Sequence, residues 1–318
     1  MPSEFELIAR HFTRPASGTR LSVGDDAALL APTPGMELAV STDMLLIGRH
    51  FLPDDAPEQL GHKVLAVNLS DLAAMAAQPR WALLALALPA ADEDWLAAFS
   101  RGLFALADRY GVELVGGDTT RGPLGFCVTI LGEVEAGRAL TRAGARPGDD
   151  IWVSGQLGGA ALGLAHVQGG LHLTPEQAAS CLERLHAPEP RVALGRALLG
   201  VASAGIDVSD GLLADLGHIL ERSGVAAEVD FQRLPAHPAV AARLSQPLAR
   251  RCLLAGGDDY ELCFTAPPDR AKAVEAAART AGVAVTRIGR VLAGEGLVLL
   301  GADGVPMPVV EHGYDHFA

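Results

Sequence analysis

The chain has 318 residues, is 49% hydrophobic and 20% charged, and carries a formal net charge of −13. That balance supports a packed core rather than disorder, and at about 150 residues per domain it suggests two domains. No basic stripe is visible, which argues against nucleic-acid binding. The longest apolar run, Trp81 to Ala91, is about half of a spanning helix and reads as a buried strand. Met1 to Phe12 mixes Glu4, Glu6 and Arg10 with apolar residues, unlike a signal peptide, so a cytosolic protein is expected. Cys127, Cys181, Cys252 and Cys263 form no C-x-x-C pair and sit in apolar contexts. They read as buried, reduced thiols and not as a zinc site.

A short amphipathic helix is predicted over Glu4 to Phe12, followed by strand-like runs at Ala27–Leu30 and Leu38–Val40. A helix-like stretch covers Pro57 to Ala77, then a strand, Trp81–Leu88. The next helix opens near Asp92, with Asp92, Glu93 and Asp94 complementing its dipole, and ends near Tyr110 before Gly111. Strands follow at Val112–Val115 and Phe126–Val134. Arg142 to Asp150 breaks all periodicity and marks the domain boundary, giving domains 1–145 and 146–318. Beyond it come a strand (Ile151–Ser154), a glycine turn and a helix (Ala160–Gln168). Helices are predicted near Pro175–Leu185, Val192–Leu199 and Leu212–Arg222. Strands are predicted near Ala227–Val229, Glu261–Phe264, Ala284–Arg290 and Leu297–Leu300. Interleaved strands and helices in both halves indicate α/β or α+β layers.

One pattern recurs: an apolar, strand-like run ends in Gly, Ser or Thr, and an aspartate follows. It appears at Gly24-Asp25-Asp26, Ser41-Thr42-Asp43, Asn68-Leu69-Ser70-Asp71, Gly116-Gly117-Asp118, Asp207-Val208-Ser209-Asp210-Gly211 and Gly256-Gly257-Asp258-Asp259. Any one of these is ordinarily a turn or helix-cap residue. Six in one chain point elsewhere. Carboxylates that share a site repel unless cations neutralise them, and hard oxygen donors with neighbouring hydroxyls suit Mg²⁺ completed by substrate phosphates. That combination is a phosphate-handling site, provided the six sites converge.

A phosphate site also needs positive charge. The G-x-x-x-x-G-K-[ST] loop is absent, and Lys63 and Lys272 are the only lysines. Magnesium must then carry most of the neutralisation, assisted by Arg121 or Arg142, either of which could equally be an ordinary surface arginine. Ser154 to Ala160 follows a strand and opens a helix, but its G-x-G-x-x-G spacing is broken and it reads as a tight turn. His166, His186 and His218 fall in helix-like stretches and read as structural or surface residues.

The segments above, together with His50-Phe51, Leu72-Ala73-Ala74-Met75, Thr119-Thr120-Arg121-Gly122, Asp259-Tyr260-Glu261-Leu262 and the terminal Gly313-Tyr314-Asp315-His316-Phe317, resemble the thiamine-monophosphate kinase family, in family order from residue 24 to 317. The resemblance implies an aminoimidazole ribonucleotide synthetase-like fold. An N-terminal α/β domain, binding ATP and metal, pairs with its dimer mate into a β-barrel, and a C-terminal α/β domain packs beside it. It implies a homodimer that phosphorylates thiamine monophosphate with ATP and several Mg²⁺ ions. By the same resemblance, Asp26, Ser41, Thr42, Asp43, Asp71, Asp118, Asp207 and Asp210 are magnesium ligands. Gly117, Asp118, Arg142 and Ser209 contact ATP, and His50, Asp258 and Tyr314 line the substrate pocket. Asp258 departs from the family's usual glutamate. A general base is not required, because the attacking phosphate oxygen is already anionic. The rivals are a purine-pathway cyclase-like enzyme of the same superfamily and a non-catalytic nucleotide-binding regulator. A selenophosphate synthetase would want a reactive cysteine near the N-terminus, and the hydrogenase-maturation relative a C-terminal one; the first cysteine here is Cys127 and the chain ends in Ala318.

Overall fold

In the computed structural model, which describes residues 3–16 and 18–308, the N-terminal segment forms helix α1 (Glu4–His11). Its start is closed by a capping box in which Glu6 N donates to the Ser3 hydroxyl and Ser3 N to the Glu6 carboxylate. The chain divides into two compact units, Met1–Leu72 with Ala77–Gly137, and Ala73–Ala76 with Arg138–Ala318.

The first unit is built on a four-stranded sheet. Strands β1 (Met36–Leu46), β2 (Gln78–Leu88), β3 (Glu113–Arg121) and β4 (Gly125–Glu135) lie in the order β1-β4-β2-β3. Only the β2–β3 pair is parallel, and helix α3 (Glu93–Tyr110) provides its crossover. Asp92 caps α3 by accepting from Trp95 N, and Gly111 ends it in a left-handed conformation. Helix α2 (Pro57–Ala74) crosses α3 at two glycines. A Cβ on Gly61 would stand 2.0 Å from the Phe99 carbonyl oxygen, and one on Gly102 1.8 Å from that of Glu58. Stacked Trp95, Phe99 and Phe126, with Phe12 edge-on to Phe99, form the aromatic part of the core.

The second unit carries a seven-stranded mixed sheet in the order β11-β10-β7-β9-β5-β8-β6. Its strands are β5 (Asp150–Ser154), β6 (Ala204–Val208), β7 (Ala226–Asp230), β8 (Glu261–Ala266), β9 (Val285–Leu292), β10 (Gly296–Leu300) and β11 (Pro306–Met307). Every residue of β5, β6 and β8 is buried, so these strands show no alternation of buried and exposed positions. The accompanying helices are α4 (Gly159–Val167), α5 (Pro175–His186), α6 (Val192–Ala197), α7 (Leu212–Ser223), α8 (Pro238–Ala241), α9 (Pro247–Ala255) and α10 (Ala271–Ala281). Leu212, Leu216 and Ile219 of α7 pack with Val153, Ile206 and Cys263 of the sheet.

Several sequence expectations need correction. Ala27–Leu30 forms no strand; its only pairing is the isolated Leu21–Leu29 bridge. Val67 to Asp71 is helical, as the helix-like stretch read over Pro57 to Ala77 has it, so the strand-end pattern does not hold at Asp71, which stands on α2. The strand expected over Val112–Val115 runs on to Arg121, which places Gly117, Asp118, Thr119 and Thr120 inside β3. Helices α9 and α10 escaped the periodicity reading. In α10 alanines occupy both faces, and only Val274, Ala277 and Ala278 are buried.

Candidate nucleotide and metal site

In the first unit, the Gly24-Asp25-Asp26 loop faces the middle of β3 across a cavity of about 730 Å³. Its floor is Leu83, Leu84 and Leu86 of β2 with Leu114 to Thr119 of β3, and Phe5 and Ile8 of α1 with Phe12 just after it form an apolar wall. The size and the mixture of apolar walls with few polar groups fit a small-molecule site. Gly117 is required where it stands: its φ is +153°, and a Cβ would meet the Leu84 carbonyl oxygen at 1.9 Å. Asp26 and Asp118 are both exposed and both line this cavity, so the structure brings them together with Gly117.

A second pairing lies between β1 and α2. The Ser41 hydroxyl donates to Asp71 Oδ2, while Thr42 turns to the opposite face of β1 and donates to the Val128 carbonyl, beside Cys127 and Thr129. Asp43 is half-buried on the Ser41 face, two residues along the same strand. His50 sits in the tight turn after β1. Leu46 N donates to its Nδ1 at 3.0 Å, so the neutral ring carries its proton on Nε2. The buried Lys63 ammonium donates to the His50 carbonyl at 3.2 Å and braces the turn.

In the second unit, Asp207 is the penultimate residue of the buried β6, and Ser209 and Asp210 follow in the turn before α7. Two backbone bonds lace this turn to the Gly256–Glu261 segment: Asp258 N donates to the Ser209 carbonyl at 2.9 Å, and Tyr260 N to that of Val208 at 2.8 Å. Asp258 and Tyr260 both have positive φ, +66° and +49°, and the Tyr260 hydroxyl donates to Asp258 Oδ1 at 3.0 Å. Arg142 is an exposed loop residue whose carbonyl accepts from the Ser223 hydroxyl. Tyr314 lies outside the described residues.

Three further acids of this unit were assigned no role from sequence. Asp215, in the first turn of α7, is 2% exposed and accepts three backbone amides. Burial, and then the charge of Asp210, push its pKa up to about 7 against the pull of those amides. Asp259 accepts from Gly158 N at 2.7 Å, and burial first of all raises its pKa well above the carboxylate range. Glu261 is fully buried, pairs with Arg191 through two bonds of 2.5 and 2.7 Å and accepts from Ser154 Oγ. It also explains Gly155, whose Cβ would strike its carboxylate at 1.9 Å. The available signal was an acid in an otherwise apolar stretch, which spacing alone does not separate from surface charge.

Among the described residues, no group of three or more His, Cys, Asp or Glu stands ready to hold a metal ion. The expected ligands divide between the units, Asp26, Ser41, Thr42, Asp43, Asp71 and Asp118 in the first and Asp207 and Asp210 in the second. The donor set is carboxylate and hydroxyl oxygen throughout, which suits a hard cation that keeps waters and takes further oxygens from phosphates.

Residues 24–134 match the N-terminal domain of AIR synthase related proteins, and residues 146–301 match their C-terminal domain. The chain is therefore a two-domain protein of that class. It is 50% identical to the thiamine-monophosphate kinase of Salmonella typhimurium, over 99% of this chain and 98% of the relative. The crystal structure of thiamine-monophosphate kinase from Stenotrophomonas maltophilia superposes with a TM-score of 0.85 at 48% identity, covering 95% of this chain and 96% of the other. AaThiL complexed with AMPPCP and TMP superposes with a TM-score of 0.79 at 32% identity, covering 90% and 89%. The chain belongs to the thiamine-monophosphate kinase family.

Proposed function

We propose that the chain transfers the γ-phosphoryl group of ATP to thiamine monophosphate, yielding thiamine diphosphate and ADP. The observation that carries this reading is the first-unit cavity, where an apolar wall meets Asp26, Gly117 and Asp118. An apolar wall suits a nucleobase, and backbone glycine beside carboxylates suits a metal-bound polyphosphate.

Gly117 lets the nucleotide phosphates approach the backbone of β3, and Ser209 and Arg142 donate to them. His50 offers its Nε2 proton, and Asp258 and Tyr314 complete the thiamine pocket. Asp26, Ser41, Asp43, Asp71, Asp118, Asp207 and Asp210 would hold Mg²⁺, which supplies charge neutralisation between the anionic phosphates; Thr42, whose hydroxyl faces the other side of β1, could add only its backbone carbonyl. The attacking phosphate oxygen is anionic at neutral pH, so the residues have only to align donor and acceptor for in-line displacement, without a phosphoenzyme.

A homodimer is proposed on β1. This edge strand exposes Met36, Leu38, Val40, Met44 and Leu46 on one face, and Val40 and Met44 are each 59% exposed. A second copy covering that stripe would also protect the strand edge. Residues 1–145 would then supply dimerisation with ATP and metal binding, and residues 146–318 the remaining ligands. A reducing cytoplasm suits the four free cysteines.

The test is ATP consumption in Mg²⁺ with thiamine monophosphate, with thiamine, with a purine-pathway ribonucleotide, and with ATP alone. Consumption dependent on thiamine monophosphate supports the proposal. Consumption dependent on the ribonucleotide would favour the cyclase-like rival, and none at all the non-catalytic one.

A further inference from the structure

The turn that carries Ser209 and Asp210 has no side-chain cap of its own. Its helix, α7, starts from Gly211 at φ +116°, with no side-chain hydrogen bond from that position. The amides at a helix start need partners, and the usual one is a Ser, Thr or Asp at the cap itself. Here a carboxylate from inside the helix binds the cap amide and the two amides before it. Asp215 reaches back, and its Oδ2 accepts from Ser209 N at 3.0 Å, Asp210 N at 3.1 Å and Gly211 N at 3.1 Å. Three consecutive amides converging on one oxygen leave the turn a single conformation.

The other side of the turn is held as closely. A Cβ on Gly211 would meet the Ala255 backbone at 2.6 Å, and one on Gly257 the Ser209 carbonyl oxygen at 2.4 Å. Residues 209–211 are thus held by the Asp215 carboxylate through their amides and by close contact with the backbone of Ala255 and Gly257. Stability alone does not call for this arrangement. A carboxylate that is 2% exposed is held close enough to Asp210 for their charges to oppose each other, and that repulsion costs stability.

We propose that Asp215 is a positioning residue of the transfer site, whose buried carboxylate fixes the turn that presents the Ser209 hydroxyl and the Asp210 carboxylate. This rests on the kinase reading for the roles of Ser209 and Asp210, and it adds the group that sets their geometry. Ser209 and Asp210 are aimed before nucleotide arrives, so binding does not have to order the turn.

The experiment combines hydrogen exchange of the 205–214 segment in the ligand-free chain with titration of AMPPCP in Mg²⁺, for wild type, Asp215→Ala and Asp215→Asn. In Asp215→Ala the Ser209, Asp210 and Gly211 amides should exchange at least about tenfold faster, and AMPPCP affinity should fall about ten- to a hundredfold. Asp215→Asn keeps one acceptor oxygen and should restore both to within about threefold of wild type. A folded Asp215→Ala with wild-type exchange or wild-type AMPPCP affinity overturns the proposal. If Asp215→Ala does not fold, Asp215→Asn decides alone: native exchange with more than a tenfold loss of affinity would show that charge, not turn geometry, matters, and would overturn it. A wild-type chain that binds AMPPCP but does not turn over thiamine monophosphate removes the substrate reading and leaves this inference standing. One that does not bind AMPPCP removes both.

Discussion

Replacing Asp258 by asparagine removes a charge while keeping the shape of the side chain. The backbone at this position has φ +66°, a region that asparagine adopts as readily as aspartate. The Tyr260 hydroxyl, 3.0 Å from Oδ1, can donate equally to the asparagine carbonyl oxygen, and the bond from residue 258 N to the Ser209 carbonyl is untouched. The melting temperature should therefore stay within about 2 °C, since ~1 kcal/mol moves Tm by roughly 2–4 °C in a chain of this size class. If the carboxylate holds the thiamine moiety, the lost charge-assisted hydrogen bond is worth roughly 1.5–3 kcal/mol, about ten- to a hundredfold in kcat/KM. The chemistry lies at the other end of the substrate, so ground state and transition state weaken together and the change appears in KM. Steady-state kinetics with each substrate varied should show KM for thiamine monophosphate rising by that factor, with kcat and the KM for ATP nearly constant. Tyr260→Phe, which removes the hydroxyl that donates to Asp258 Oδ1, should give a smaller rise, and Asp258→Glu should be tolerated. An unchanged KM for thiamine monophosphate in a folded Asp258→Asn would refute the reasoning, leaving Asp258 as a turn residue.

Asp71→Asn keeps an acceptor for the Ser41 hydroxyl but loses its charge; most activity should vanish with Tm unchanged or higher, and full activity of the wild type in excess chelator would refute the metal requirement behind this. Gly117→Ala places a Cβ against the Leu84 carbonyl oxygen at a strained φ, and backbone strain plus overpacking should remove on the order of 2–6 kcal/mol, so a melt superimposable on wild type would contradict the geometry. Buried His237 accepts from Ala239 N on Nδ1 and shares a 2.9 Å bond with Ser180 through Nε2, and burial lowers its pKa below the usual 6.5. The unfolded chain therefore binds the extra proton, and stability present above about pH 6.5 is lost as pH falls, at up to about 1.4 kcal/mol per pH unit. Melting curves between pH 7.5 and 5.5 should show a shallower decline in His237→Gln, and equal slopes would be the contrary result. Val40→Asp on the exposed β1 stripe should yield monomers by light scattering, whereas a wild type already monomeric at micromolar concentration would contradict the proposed dimer.

The long, strongly patterned elements were legible in the sequence because caps and periodicity agreed. Asp92 and Gly111 bound α3 where expected, and the glycine turn after β5 is the tight strand-to-helix turn inferred from its broken spacing. Where local chemistry was ambiguous, tertiary pairing decided. Asn68-Leu69-Ser70-Asp71 reads as a strand end or as a helix, and packing of α2 against α3 through Gly61 and Gly102 makes it a helix. Gly116-Gly117-Asp118 reads as a loop, but it is paired along β2 from Leu83 to Ala85. At the site, short motifs exposed residues such as Asp26 and Asp118 to inspection. The supporting acids stayed hidden, because what marks Asp215 and Glu261 is burial beside amides or an arginine distant in sequence. The proximity of Ser41 to Asp71, thirty residues apart, likewise needed coordinates.

The central claim is direct transfer from ATP to thiamine monophosphate. Its most direct test supplies ATP labelled with ³²P in the γ-phosphate, together with Mg²⁺ and unlabelled thiamine monophosphate, and follows the label by chromatography and position-specific hydrolysis. Direct transfer yields ADP and thiamine diphosphate in equal amounts, with all of the transferred label in the terminal phosphate of the product and none on the protein. Label released as inorganic phosphate without thiamine diphosphate, or trapped on the chain in the absence of thiamine monophosphate, would contradict it.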